Sequence, residues 1–234
     1  MSTSLPYRLR SNISGAQYAQ VPCLSERVEP CSSATDTRAA AEWVGSLSSA
    51  HLGLCLDCCH SAVEFEEVAD ALALCQAAGL GKVQFSSALS LEEPSQNADG
   101  VDALLALDEP RFLHQVVSPL EGLRASDLPD LEGSLAGDER WMDQPEWRCH
   151  FHVPVDLERF RGLGTTSSHA DALVSGLLDD PGAWSREELH LEIETYTWSV
   201  IPGAPAEGGG LVDAIEREYA HVLGLLRAAG WSSE

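Results

Sequence analysis

Basic residues are scarce in this sequence. Lys and Arg number 14 against 37 Asp and Glu, the formal net charge is −23, and Lys82 is the only lysine. Nucleic-acid phosphates and anionic membrane surfaces are bound through patches of Lys and Arg, and no cluster here could form one. We therefore expect no nucleic-acid partner, and we interpret the acidic excess as a solvated surface that favours solubility.

Long apolar runs and the common nucleotide-binding motifs are also missing. No run of 18 apolar residues occurs, and "MSTSLPYRLR" at the N-terminus lacks the apolar core of a signal peptide. We therefore expect a cytoplasmic protein that is not embedded in a membrane. Neither G-x-G-x-x-G after a strand nor G-x-x-x-x-G-K-[ST] is present, so dinucleotide and P-loop binding lose their main support.

Cysteine occurs in an odd number, seven, which does not suit a disulfide framework in a chain of 234 residues. In "LCLDCCH", Cys55, Cys58 and Cys59 come shortly before or next to His60, which raises the alternative of a structural zinc site. No second Cys/His pair follows at zinc-finger spacing. We therefore interpret the cysteines as small buried thiols.

The periodicity of the chain changes after its first 34 residues. Residues 1–34 show no sustained period and predict an irregular segment, whereas apolar residues in 35–234 follow helical or strand patterns typical of one domain. The predicted helices are 37–47, 62–79, 97–110, 168–178 and 209–230. The predicted strands are 51–57, 82–87, 147–155 and 190–198, with 111–117 as a further candidate. Residues 127–137 are predicted as a loop, with a helical turn as an alternative. Alternation of this kind predicts parallel βαβ units, in a doubly wound sheet or part of a barrel.

Ionisable residues lie at the ends of the predicted strands, where parallel α/β folds carry their functional side chains. In chain order they are Asp57, His60, His150, His152, Glu192 and Glu194. Taken one at a time, each could be a hydrogen-bonded His or an ion-paired Glu. Together they are costly inside a fold unless paired or bound, and the mixture of carboxylate and imidazole suits a divalent ion such as Mn²⁺, Mg²⁺, Zn²⁺ or Fe²⁺. The sequence therefore predicts a metal site.

These blocks also resemble a known family. In order, "HLGLCLDCCHSAVEFE", "GKVQFSSAL", "LDEPRFLHQV", "WRCHFHVPVD", "LGTT" and "HLEIETYTW" are similar to blocks of the metabolite-traffic proteins encoded in ebo gene clusters, the EboE type, from about Glu29 to the C-terminal helix. That family belongs to the xylose isomerase-like TIM barrels. The resemblance therefore implies a (β/α)₈ barrel, partial or complete, in which residues 35–234 carry about barrel strands five to eight. Nothing resembles strands one to three.

The resemblance also implies a set of site residues. The implied metal ligands are Glu29 of strand four, Asp57 and His60 of strand five, His150 and His152 of strand seven, and Glu194 of strand eight, with Glu192 as its alternative. Gln84 occupies the strand-six position, where related isomerases often have a His. The implied chemistry is proton abstraction beside a carbonyl, with Glu192 or Glu194 as base and His60 or His152 orienting the substrate.

The function implied by the resemblance is that of a metal-dependent isomerase or epimerase of a sugar or sugar phosphate, connected with export of a secondary-metabolite precursor. The expected partners are a small sugar-like metabolite, a second copy of the chain, or products of neighbouring ebo genes. Three alternatives stay open: a non-catalytic metabolite-binding protein, which Gln84 favours; a truncated, inactive half-barrel; and a smaller complete α/β domain. Nucleic-acid repair, known among endonuclease IV relatives, is opposed by the net charge.

Overall fold

The computed structural model describes residues 36–47, 53–120, 122–181, 190–201 and 209–231. The predicted irregular segment and the candidate ligand Glu29 lie outside these residues. The described strands are β1 (Leu54–Asp57), β2 (Leu80–Phe85), β3 (Ser87–Glu92), β4 (Val116–Val117), β5 (Arg124–Ala125), β6 (Glu146–Val153), β7 (Arg159–Phe160), β8 (Leu163–Thr165) and β9 (His190–Ile193). The described helices are α1 (Thr37–Ser46), α2 (Cys58–Val63), α3 (Val68–Ala78), α4 (Ala98–Leu105), α5 (Leu128–Leu135), α6 (Ser167–Asp179) and α7 (Gly209–Ala228).

One sheet is parallel and has the order β1-β2-β9, as the predicted βαβ units require. Because side chains alternate along a strand, its two faces differ in character. Leu56, Val83 and Phe85 lie on the apolar face, which joins a core built with residues of α1, α3, α6 and α7. The opposite face is polar and carries Cys55, Asp57, Lys82, Gln84, His190 and Glu192. This polar face ends at the candidate site.

The second sheet is antiparallel, with the order β5-β4-β6-β3-β8-β7. The prediction that 147–155 continues the parallel sheet is therefore wrong: β6 pairs with β3 in antiparallel register. After β2 the chain passes through the single residue Ser86 directly into β3, so one extended run serves both sheets. The mixed α/β class is confirmed, but neither sheet of the described residues closes into a barrel.

Local side-chain bonds explain why two other predicted elements differ from the structure. The predicted helix 62–79 is two helices, because the Asp57 side chain caps α2 and Phe65 then takes a left-handed conformation with φ of 54°. The predicted strand 190–198 ends at Ile193, since Thr195 Oγ1 donates to Glu218 and Thr197 Oγ1 to the His152 carbonyl, where a short 3₁₀ turn forms. Glu194 therefore lies just beyond the strand.

Two further elements were predicted in part. The candidate strand 111–117 is reduced to Val116–Val117, and the predicted loop 127–137 contains α5, which Asp127 caps at its N-terminus. A second apolar core lies between the antiparallel sheet and α4 and α5, with Trp141, Trp147 and Phe151 at its centre. Among the described helices, none has the length and apolar character needed to cross a membrane.

Candidate metal centre

Asp57 lies at the junction of β1 and α2, and its carboxylate is held on both oxygens. Oδ1 accepts hydrogen bonds from the backbone N–H of Cys59 at 2.9 Å and of His60 at 3.2 Å, as an N-cap does. Oδ2 lies 2.8 Å from Nδ1 of His60. The short helix thus brings an imidazole back onto the carboxylate that begins it, and both side chains are fixed at the end of β1.

His150 and His152 lie two residues apart on β6, so their side chains share one face of that strand. Each side chain is 2% exposed, and their Nε2 atoms are 3.0 Å apart. Nδ1 of His152 lies 2.8 Å from the backbone carbonyl oxygen of Glu194. Because a carbonyl can only accept, Nδ1 of His152 carries the proton and its Nε2 presents a lone pair.

These residues meet in two overlapping groups of metal-binding atoms. One group is Asp57, His60 and His150, and the other is Cys59, His150 and His152; within each group all three ligand atoms lie within 4.8 Å of one another. Oδ2 of Asp57 is also 3.9 Å from Nε2 of His152. The structure therefore brings together four of the predicted ligands, although β6 reaches them from the antiparallel sheet.

His150 tests whether these residues fit a cation. Since Nε2 of His152 accepts, Nε2 of His150 must donate across the 3.0 Å contact, which leaves Nδ1 of His150 as a buried lone pair. That atom has no hydrogen-bond partner among the described residues. A buried polar atom without a partner is rare and costly, and a bound cation would supply one.

The protonation states suit metal binding as well. Burial, together with the neighbouring imidazoles, lowers the pKa of His150, and burial lowers the pKa of His152, so both rings are neutral near pH 7. Burial alone would raise the pKa of Asp57, but the charge and hydrogen bond of His60 hold it well below its usual range. Neutral imidazole and ionised carboxylate are the forms in which these side chains bind a metal.

The two predicted strand-eight carboxylates lie beside this centre and not within its ligand groups. Glu192 forms an ion pair with Lys82 and its side chain is half-exposed. Glu194 donates its backbone N–H to Phe85 and contacts His152 through its carbonyl. Burial, reinforced by the negative charge of Asp57, raises the pKa of its carboxyl group to about 7. Glu194 can therefore exchange a proton near neutral pH.

A small pocket opens over Asp57 and His60, and Asp36, Thr37, Ser61 and Glu66 line it with them. Its rim is ordered, because Glu66 accepts hydrogen bonds from the backbone N–H and the hydroxyl of Thr37 at 2.6 and 2.7 Å. The pocket is polar but has room for only about one water molecule, so it is a recess beside the centre and does not by itself hold a sugar.

Cys59 was missed as a member of the site. Cys59 was weighed as a zinc ligand only as part of the run Cys55, Cys58, Cys59 and His60, and the sequence favoured buried thiols instead. The structure separates these thiols: Cys59 alone joins the two histidines of β6, whereas Cys58 packs in the main core. The available signal was its position two residues after a strand-ending Asp, which places it in the first turn of α2.

Comparison with known proteins adds nothing to this geometry: no protein-family model, no curated protein and no solved structure matches the chain.

Proposed function

We propose that this chain is a cytoplasmic divalent-metal protein, similar to the EboE type of metabolite-traffic protein, that acts on a small sugar-like metabolite as an isomerase or epimerase. One observation carries the proposal: Asp57 at the end of β1, His60 in α2, and His150 and His152 on β6 converge on one buried centre. The parallel strands β1, β2 and β9, with a polar face that leads to the centre, support a relationship to the xylose isomerase-like barrels.

Each residue of the centre has a role in this proposal. A divalent ion, when bound, polarises the oxygens of a hydroxy-carbonyl substrate. His150 and His152 hold the ion with Asp57, and His60 stays hydrogen-bonded to Asp57 at the mouth of the pocket. Glu194, whose carboxyl group interacts electrostatically with Asp57 and His60 and has a pKa raised to about 7, would take the proton from the carbon next to the carbonyl. Glu192 holds Lys82 beside it.

A second candidate is a protein that binds the metabolite and does no chemistry. Two observations favour it: Glu192 is engaged by Lys82, and the strand-six position holds buried Gln84, whose amide oxygen accepts from the Cys55 thiol at 3.4 Å. In this case the catalytic groups that the centre lacks would come from a second copy of the chain or from a product of a neighbouring ebo gene.

The first experiment is metal analysis of the purified protein beside His150→Ala, His152→Ala and a control, His221→Gln. His221 is bonded to Asp171 between α7 and α6, away from the centre. We expect about one transition metal per chain in the wild type and in the control, and a loss in both other variants. Wild-type protein without metal would contradict the proposal.

Chemistry is tested separately, with the metal-loaded protein in deuterated water. An isomerase or epimerase exchanges the hydrogen next to the carbonyl of hydroxy-ketones or sugar phosphates, which nuclear magnetic resonance detects without knowledge of the product. We expect exchange in the wild type and its loss in Glu194→Gln. Metal-loaded wild type that binds such compounds without exchange would establish the binding protein instead.

A further inference from the structure

We propose that Cys59 is a metal ligand through its thiolate, so that Cys59, His150 and His152 hold a zinc-like ion in preference to Mg²⁺ or Mn²⁺. The inference rests on the proposed metal function and deepens it, because it selects among the four metals that the sequence leaves open. It concerns a residue for which neither the family resemblance nor the strand-end pattern predicts a role.

The first support is the geometry of the three side chains. Sγ of Cys59 and one ring nitrogen each of His150 and His152 lie within 4.8 Å of one another, and none of the three residues is more than 2% exposed. Three protein ligands around one ion are typical of a catalytic zinc site, in which the fourth position is left for water or substrate. Oδ2 of Asp57, 3.9 Å from Nε2 of His152, is a further donor.

The second support is independent of the cysteine. His150 is buried and its Nδ1 has no partner among the described atoms, while Nδ1 of His152 is bonded to the Glu194 carbonyl. An outer hydrogen bond of this kind orients a metal-binding imidazole and sets which nitrogen faces the ion. The histidine pair therefore has the arrangement of a metal-binding pair before any role is given to Cys59.

The third support is the contrast between two adjacent thiols. Cys58 and Cys59 are both fully buried, but Cys58 joins the main core, whereas Cys59 packs with Val63, Ala88 and Val117 on the side of the histidines. A purely apolar role is sufficient for Cys58. The residues around Cys59 form an apolar shell, which limits the access of water to a thiolate–metal bond.

The ligand types decide the metal. Thiolate and imidazole together suit Zn²⁺, and also Fe²⁺ and Co²⁺, whereas Mg²⁺ and Mn²⁺ prefer carboxylate, carbonyl and water oxygens. Mg²⁺ in particular usually keeps several of its waters, which a centre this buried would have to accommodate. On binding, the Cys59 thiol releases its proton to solvent and its sulfur forms the bond to the ion.

Cobalt(II) tests this inference, because a thiolate bound to cobalt gives a charge-transfer band in the near ultraviolet that nitrogen and oxygen ligands do not give. The experiment adds Co²⁺ to chelator-treated wild type, Cys59→Ser and the matched control Cys58→Ser. We expect the band in the wild type and in Cys58→Ser and none in Cys59→Ser. Zinc affinity should fall in Cys59→Ser by more than the roughly 10- to 100-fold that loss of an outer partner costs.

The outcomes separate this inference from the proposed function. Cobalt bound by the wild type without the band would overturn the thiolate and leave the metal site standing, whereas no bound cobalt would overturn both. If Cys59→Ser does not fold, X-ray absorption of the zinc-loaded wild type and of Cys58→Ser decides. One sulfur at about 2.3 Å from zinc is expected in both, and its absence would overturn the proposal.

Discussion

Nδ1 of His152, on β6 of the antiparallel sheet, donates a 2.8 Å hydrogen bond to the backbone carbonyl of Glu194, just past β9 of the parallel sheet. This bond joins the two sheets at the candidate centre. It also sets the tautomer of His152, so that Nε2 faces His150 and the ligand groups. The position of the metal-binding nitrogen therefore depends on where β9 ends, and the two functions of His152 can be separated by mutation.

Asn and Gln at position 152 separate those functions, since the Asn amide nitrogen lies near the place of Nδ1 and that of Gln near Nε2. We expect both variants to lose metal binding, because neither presents an imidazole lone pair. We expect His152→Asn to keep the bond to Glu194, and so to retain about 1 kcal/mol of unfolding free energy that His152→Gln loses. Urea unfolding of the metal-free proteins measures this. Equal stabilities would contradict the role of the Glu194 bond.

Asp57 combines a structural and a ligand role, which a second pair of variants resolves. Asn at this position still caps α2 but lacks the negative charge, whereas Ala lacks both the cap and the charge. We expect both variants to bind metal weakly, and Asp57→Ala alone to lose about 1 kcal/mol of unfolding free energy from the missing cap. Thermal unfolding beside metal titration provides both quantities. Unimpaired metal binding by Asp57→Asn would exclude the carboxylate as a ligand.

The parallel half of the fold could be predicted because its signals are local. The strands at Leu54–Asp57 and Leu80–Phe85 are short apolar runs, and Gly79, with φ of 84°, ends the helix between them as expected. Asp57 and His60 were predicted together for the same reason, since only two residues, within one turn of the chain, separate them. A pair of side chains this close in sequence can be recognised from a local motif without knowledge of the fold.

The antiparallel half could not be predicted, because it depends on distant pairing. Nothing in "KVQFSSALSLE" indicates that the chain changes sheets at Ser86, a single buried residue without turn chemistry. β6 was predicted as a strand, but its partner β3 is farther away in sequence than β9, and periodicity carries no information about which of them it pairs with. Cys59 was missed for the same reason: its neighbours are residues of β6.

The buried carboxyl group of Glu218 on α7 makes the stability of the protein depend on pH. It is fully buried, accepts from Thr195 Oγ1 at 2.6 Å and from the Val155 backbone N–H at 3.4 Å, and its Oε1 has no hydrogen-bond partner among the described residues. Burial raises the pKa of its carboxyl group above the ordinary value. The folded chain therefore holds this proton at a pH where the unfolded chain has released it. The contribution of Glu218 to stability is greatest at acid pH and falls as pH rises from about 4.3, the unfolded value, through the folded value.

Gln at position 218 keeps the shape and removes this proton. We expect Glu218→Gln to gain stability over the wild type as pH rises from 4 to 8, measured as the difference between urea midpoints at each pH. As a control, Glu216→Gln changes an exposed carboxylate on the same helix. The pH dependence of the Glu218→Gln difference should exceed that of the Glu216→Gln difference. A flat difference for Glu218→Gln would show that the buried carboxyl group titrates normally.

Removal of the metal is the most direct test of whether the centre supports the fold as well as the function. An ion that binds only the folded chain adds about 2.7 kcal/mol when its free concentration is 100 times its dissociation constant. We therefore expect chelator to lower the unfolding midpoint of the wild type and of His221→Gln, and to leave His150→Ala unchanged, because that variant has already lost the centre. Restoration of the wild-type midpoint by zinc, but not by magnesium, would support a thiolate-containing site. A midpoint that does not change in chelator would mean that no metal is bound to the purified chain or that binding does not favour the folded state.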